Sequence, residues 1–340
     1  MRHINIPIFI PHKGCPNDCV FCNQRTISGT QTLDIASVPA EIERKLALLP
    51  PAEKYVELAY FGGSFTGIPR EDMRFLLGIV RRLKKEGRID AARVSTRPDC
   101  VTPEIAKELK DAGVSTVELG VQSMSDRVLF ACRRGHTAAD TVRAFEVLHN
   151  AGLATVGQMM IGLPSSARED EVYTARMICE LGALGARIYP LAVLRHTELA
   201  RMAVRGEFAP LPLEEAISRA ADALDVFVER GVPVLRIGLC ASDELFSEDG
   251  IACGEYSPAM GELVMGELYK RRISKAIDSQ GMGTENKKLL AAVPPGAISK
   301  VAGHKGRVRR ALAEKYGFSD IKFVEDDRLV GYDCAVKIIL

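Results

Sequence analysis

Short apolar runs alternating with longer stretches of helical period constrain this chain's fold more than any other feature. The runs are INIPIFI, VELAYF, ARVST, TVELGVQ, ATVGQMMIG and ARIYPLAVL. Between them lie PAEIERKLALL, EDMRFLLGIVRRLKK, PEIAKELKDA, DTVRAFEVLHNA and DEVYTARMICEL, and LEEAISRAADALDVFVERG follows the last. The first set has strand length and the second repeats its apolar positions every three or four residues. One helix carries its own punctuation. Thr102 caps it, Pro103 takes the first position, where a missing N–H is harmless, and Gly113 stops it. Repeated strand–helix units imply parallel strands joined by right-handed crossovers. An open doubly wound sheet and a complete or partial barrel both satisfy that pattern.

The alternation ends near residue 235. GLCASDELFSEDGIACGEYSPAMGELV reads as an irregular connection, and GELVMGELYKRRISKAI then has helical spacing. A strand at KLLAAV, a helical pair, and strands at DIKFVED and CAVKIIL complete a small module. The expected division is therefore residues 1–235 and 236–340. With 340 residues, 47% of them hydrophobic and 26% charged, the chain can bury a large core. A net charge of +1 excludes a uniformly basic coat but leaves room for a local basic patch. The opening MRHINIPIFIPHKG lacks a signal-peptide pattern, and no apolar run reaches the roughly 18 residues of a membrane span. Nine cysteines, three bunched and six scattered, read as reduced thiols in the cytoplasm.

The bunched three, Cys15, Cys19 and Cys22, stand in GCPNDCVFCNQ with C-x3-C-x2-C spacing. A structural zinc site or an ordinary iron–sulfur cluster takes four ligands. No fourth cysteine follows; Asn23, Gln24 and Arg25 come next, and His12 is the nearby residue able to complete a zinc site. A cubane on three cysteines instead leaves one iron open to the amino and carboxylate groups of a methionine derivative. CPNDCVFC, with aromatic Phe21 before the last cysteine, closely resembles the signature of radical S-adenosylmethionine (SAM) enzymes. A zinc knuckle or three incidental thiols is the competing reading.

That resemblance implies a partial (β/α)6 TIM-like barrel with a small C-terminal α+β module, a 4Fe-4S cluster on Cys15, Cys19 and Cys22, and bound SAM. Its chemistry would gather at the C-terminal strand ends. By the same resemblance Phe21 lies near the adenine, and Gly62 and Gly63 meet the SAM amino group, with Ser64 as a hydrogen-bond partner. Ser95 and Thr96 fall beside the ribose, where porphyrin-making relatives carry a glutamate. Gln122 faces the ligand, Arg134 of CRRGHT on the following helix reaches the SAM carboxylate, and Gln158 stands where some relatives bind the ribose hydroxyls. His136 reads as a helix-end histidine capping backbone, with acid–base work as the alternative. Met159 and Met160 read as core packing. Cys100, Cys132, Cys179, Cys240, Cys253 and Cys334 read as buried thiols.

The run from STRPD through VELGVQSMSDRVLFACRRGH to MMIGLP resembles the Elongator catalytic-subunit-like branch and, more distantly, the oxygen-independent coproporphyrinogen oxidases. The latter place a further cysteine where Gln24 stands. The residues after 235 are too few for the Elongator subunit's acetyltransferase domain, and there is no room ahead of the triad for a methylthiotransferase's extra cysteines. ISKVAGHKGRVRRALAEKYGFSDIKFVED, within about 285–340, resembles a KH RNA-binding module, with Gly303, His304, Lys305 and Gly306 as its G-x-x-G loop and Arg307 and Arg310 beginning a basic helix. From Gly296 to Gly317 six Lys and Arg face a single acid, a polarity suited to phosphate. A solvated basic helix with a glycine turn is the plain alternative. The combined expectation is a radical SAM enzyme, reduced by a flavodoxin or ferredoxin, whose 5′-deoxyadenosyl radical modifies RNA (tRNA or rRNA). A small metabolite or tetrapyrrole as substrate is the alternative, as is a non-catalytic metal-, haem- or RNA-binding protein.

Overall fold

The computed structural model describes residues 2–10, 15, 19–23, 34–50, 54–239 and 245–339. Strands β1 (Arg2–Ile10), β2 (Lys54–Gly62), β3 (Ala91–Thr96), β4 (Thr116–Gln122), β5 (Ala154–Ile161) and β6 (Gly185–Pro190) pair in chain order. Beyond the short β7 (Val193–Leu194), β8 (Val234–Ile237) adds a seventh strand beside β6. All neighbouring pairs are parallel, and the sheet curls into a half-barrel. Helices α1 (Val38–Ala47), α2 (Arg70–Lys85), α3 (Pro103–Asp111), α4 (Asp126–Ala131), α5 (Ala138–Asn150), α6 (Arg168–Glu180), α7 (Glu198–Val204) and α8 (Leu213–Glu229) occur along this part of the chain.

Strand alternation sorts side chains between two faces. Leu58, Tyr60, Ala92, Val94, Val117 and Leu119 pack with Met73, Leu76, Leu77 and Val80 in one buried core. Burying each large side chain contributes about 1.5–3 kcal/mol. The alternate residues, among them Glu57, Arg93, Glu118, Gln158 and Arg187, therefore share the opposite, inner face. The punctuation of α3 is as the sequence implied. Thr102 Oγ1 accepts from Ile105 N at 3.3 Å, and Gly113, just past the helix, has φ +90°.

Three expectations change. The seventh strand straddles the anticipated boundary at 235; at four residues between Pro233 and Gly238, it is too short for a period to show. ARIYPLAVL is not one strand. It breaks after Pro190, and β7 pairs antiparallel with β9 (Ile251–Cys253), inside the stretch read as irregular. CRRGHT is a turn between α4 and α5 and not a helix.

Helix α9 (Met260–Asp278) joins the two parts. Leu263, Val264 and Leu268 enter the barrel core, while Tyr269, Ile273 and Ile277 enter a second one. That second core lies under β10 (Lys288–Val293), β11 (Asp320–Glu325) and β12 (Ala335–Ile339), with α10 (Ile298–Ala302) and α11 (Arg307–Tyr316) between β10 and β11. β10 is central, parallel to β11 and antiparallel to β12. Among the described residues, no helix is long and apolar enough to cross a membrane.

Candidate active site

The cysteine stretch lies at the C-terminal end of the half-barrel, following β1. Val20 N donates to Cys132 O at 3.1 Å, Leu199 N donates to Val20 O at 2.7 Å, and Asn23 Nδ2 donates to Arg195 O at 3.1 Å. Phe21 and Val20 pack with Val128, Leu163, Val193 and Leu199. Cys19 is buried, Cys15 and Cys22 partly so. His12, Gln24 and Cys240 lie outside the described residues.

Two guanidinium groups approach Cys19. Arg134, 7% exposed, brings Nη1 to 3.4 Å from its Sγ, and Nη2 donates to Gly120 O at 2.8 Å. Arg97, 1% exposed, brings Nη1 to 4.0 Å. Pro98 bars the helical region to the residue before it, and Arg97 is extended at φ −89° and ψ 149°. Burial raises the Cys15 thiol above its ordinary value, while Arg134 and Arg97 favour the thiolate. Burial likewise raises Cys100, which Ser64 opposes by hydrogen bonding. Cys100 and Cys15 lie within electrostatic reach of each other, a proximity the scattered spacing did not disclose.

The strand ends carry the other expected residues. Gly62 has φ +105°, and a Cβ there would stand 2.8 Å from Ile10 O, so the turn requires glycine. Gly63 N donates to Ile10 O at 2.8 Å. Ser64 Oγ lies 2.8 Å from Thr96 Oγ1, which lies 2.6 Å from Thr66 Oγ1; both expected hydroxyls are thus engaged with each other. Gln122 has φ 64° at a bulge in the β4–β5 register. A Cβ on Gly120 would stand 2.7 Å from Arg134 Nη2, so that glycine makes room for the guanidinium.

Ser95 Oγ, Gln122 Oε1 and Arg134 Nε are buried with no hydrogen-bond partner. Such atoms are costly unless something polar meets them. Two unmet polar atoms at adjoining strand ends and a third on the turn that carries Arg134, beside a cysteine flanked by two cations, fit an anionic cluster and a polar cosubstrate. Among the described residues, no three His, Cys, Asp or Glu side chains converge as ligands of a single ion. A cubane is gripped at separate iron corners, so its three thiolates need not converge on one point.

His136 is 3% exposed, and its ring faces the Val121 backbone without a well-formed hydrogen bond at either nitrogen. Burial, then Arg134, push its pKa down to about 3, keeping it neutral. Gln158 is committed lower on the inner face, where Nε2 donates to Glu118 Oε2 at 2.7 Å. Glu118 also accepts from Arg93 at 2.6 Å and Arg187 at 2.8 Å, and Arg93 reaches Glu57 at 3.1 Å. Burial opposes the Glu118 charge, but Arg187 and Arg93 outweigh it and hold the carboxyl below its ordinary value. Met159 is core, as expected, and Met160 packs against the Val20 cluster.

In the C-terminal module Gly303, Lys305 and Gly306 have φ 68°, 53° and 73° between the two short helices. A Cβ on Gly266 of α9 would stand 3.3 Å from Gly303 Cα, so the loop lies against that helix. His304 is 3.4 Å from Glu262, Arg307 pairs with Glu214, and Arg310 donates to Lys305 O at 2.7 Å.

Residues 9–178 match the family model described as the radical SAM superfamily, and residues 184–270 match the radical SAM C-terminal domain. An uncharacterized protein of Methanocaldococcus jannaschii is 26% identical over 229 residues, 65% of this chain and 70% of its own length. A tRNA uridine(34) acetyltransferase of the same organism is 33% identical over 202 residues, covering 52% of this chain and 36% of its own. The archaeal Methanocaldococcus infernus Elp3, with an N-terminal deletion, superposes with a TM-score of 0.60 at 24% identity, over 82% of this chain and 63% of that one. Coproporphyrinogen III oxidase of Escherichia coli superposes at 0.50 with 17% identity, over 68% and 53%. The two structural likenesses establish the fold, and this chain spans only part of each of these proteins.

Proposed function

The chain belongs to the radical SAM superfamily, whose enzymes use a 4Fe-4S cluster and SAM, and on that premise we propose that it modifies RNA. Cys15, Cys19 and Cys22 hold the cluster in this reading. Gly62 and Gly63 admit SAM to the backbone, and Ser95, Gln122 and Arg134 supply polar atoms to it. When bound, the cluster would supply the electron for reductive cleavage of SAM, and with it the family's radical chemistry. The chain's own share is orientation and exclusion of water. Arg134 and Arg97 offset negative charge beside Cys19, and the ion-paired Glu57, Arg93, Glu118 and Arg187 fix the inner face without a mobile charge.

The observation that carries RNA as substrate is the 33% identity to a tRNA uridine(34) acetyltransferase across 202 residues. The strand–helix–GHKG–helix–strand module supports it through its basic surplus. A small-molecule substrate is the second reading. The ion pair of Arg307 with Glu214 favours it, because it occupies a charge an RNA backbone would need, and His304 lies against Glu262 at 3.4 Å.

The deciding experiment measures 5′-deoxyadenosine released by the anaerobically reconstituted, reduced enzyme with intact or RNase-digested cellular RNA. Stimulation by intact RNA that digestion removes is the expected result. Slow release indifferent to RNA overturns the RNA reading and leaves the small-molecule one.

A further inference from the structure

Arg97, the residue before Pro98, is among the largest fully buried side chains of the described residues. Its planar fork is divided between two tasks. Nε and Nη2 donate to Asp99 Oδ1 and Oδ2, each at 2.9 Å, and Nη2 also donates to Arg134 O at 2.5 Å. A guanidinium so clamped has one nitrogen left to aim elsewhere. Nη1 is that nitrogen, and it stands 4.0 Å from Cys19 Sγ. The bond to the Arg134 carbonyl also fastens the second cation, whose own Nη1 is 3.4 Å from the same sulfur. Asp99 is the counter-charge, more exposed than Arg97 and on the side of the guanidinium away from Cys19.

We propose that the Arg97–Asp99 pair sets the reduction potential of the cluster held through Cys19. One-electron reduction by a low-potential donor protein adds one unit of negative charge to the cluster and its thiolates and transfers no atom. A buried cation beside Cys19 favours that reduced state, and the carboxylate behind it moderates the effect. The two members of the pair act with opposite sign. This inference stands whether or not RNA is the substrate.

The test is an EPR-monitored redox titration of the reconstituted full chain without SAM. Arg97→Met is expected to shift the midpoint to a more negative potential, and Asp99→Asn, whose amide is nearly isosteric, to a less negative one. Midpoints that stay at the wild-type value, or that move in the same direction, overturn the proposal. A merely structural role changes iron loading or thermal stability without separating the two signs. Should Arg97→Met take up no cluster, Asp99→Asn decides alone, and a midpoint at or below wild type overturns the assignment.

Discussion

A thiol must lose its proton before it ligates iron, and burial at this site works against that loss. Cys15 is pushed up by its surroundings, and only Arg134 and Arg97 pull the other way. The cations beside the triad are therefore as much a part of the site as the sulfurs. Cys100 stands close by, raised by burial as Cys15 is, with a Ser64 hydrogen bond opposing the rise. Cys19→Ala is expected to abolish both the brown cluster absorbance and 5′-deoxyadenosine release. Cys100→Ala should keep four irons per chain by iron and sulfide analysis. A Cys19 variant that retains both properties, or a Cys100 variant that loses iron, removes the three-cysteine assignment.

At the scale of elements, the strand period did its work on the helix-packed face, where Val94 and Val117 stand between polar neighbours and Leu58, Tyr60 and Leu119 keep the same face. The same alternation puts Glu57, Arg93, Glu118 and Arg187 on the inner face, where they have little water to lean on. Glu118 accepts from residues on β3, β5 and β6, so the sheet is cross-linked through one carboxylate, itself 1% exposed. Breaking a buried ion pair from one side leaves the partner charge uncompensated, which costs about 3–5 kcal/mol. Glu118→Ala, which takes the carboxylate from Arg187 and leaves Arg93 with Glu57 alone, is expected to lower stability by that order in urea unfolding of the chain. Glu118→Gln, keeping acceptor oxygen and shape, should lose less; equal losses would mean that volume, not charge, holds the strands.

Over the whole molecule, α9 ties the C-terminal module to the barrel through both cores and through Arg271–Asp222 and Arg272–Asp225, at 2.5 and 2.6 Å. A groove of about 540 Å³ between α9 and α11 is lined by Lys270, Arg271, Lys275 and Lys315 against the single acid Asp278. Lys270 pairs with Glu267 and Arg271 with Asp222, so on the RNA reading proposed above Lys275 and Lys315 are the cations this groove offers a phosphate backbone, beside the exposed Lys305 of the loop. Lys275→Glu with Lys315→Glu is therefore expected to reduce RNA stimulation and to lower the salt dependence of RNA binding by about one unit of slope per lysine. Basal SAM cleavage should be unchanged. RNA binding that ignores these changes but falls with Lys305→Glu would return the contact to the loop.

What the sequence determined by itself is what local physics encodes. Alternating apolar runs specified strands and helices, Thr102, Pro103 and Gly113 bounded a helix, and the spacing of three cysteines within one loop announced the family. These signals travel a few residues, and steric preference and hydrophobic period suffice to read them. Tertiary structure alone brought Arg97 and Arg134 to Cys19 from 78 and 115 residues away, collected Arg93 and Arg187 around Glu118, set Cys100 near Cys15, and turned the GHKG loop toward the barrel's acids. Each of those meetings depends on register and on the path of a crossover. For Arg93, Glu118 and Arg187, which stand on strands, a one-residue slip would have sent the side chains to the opposite face.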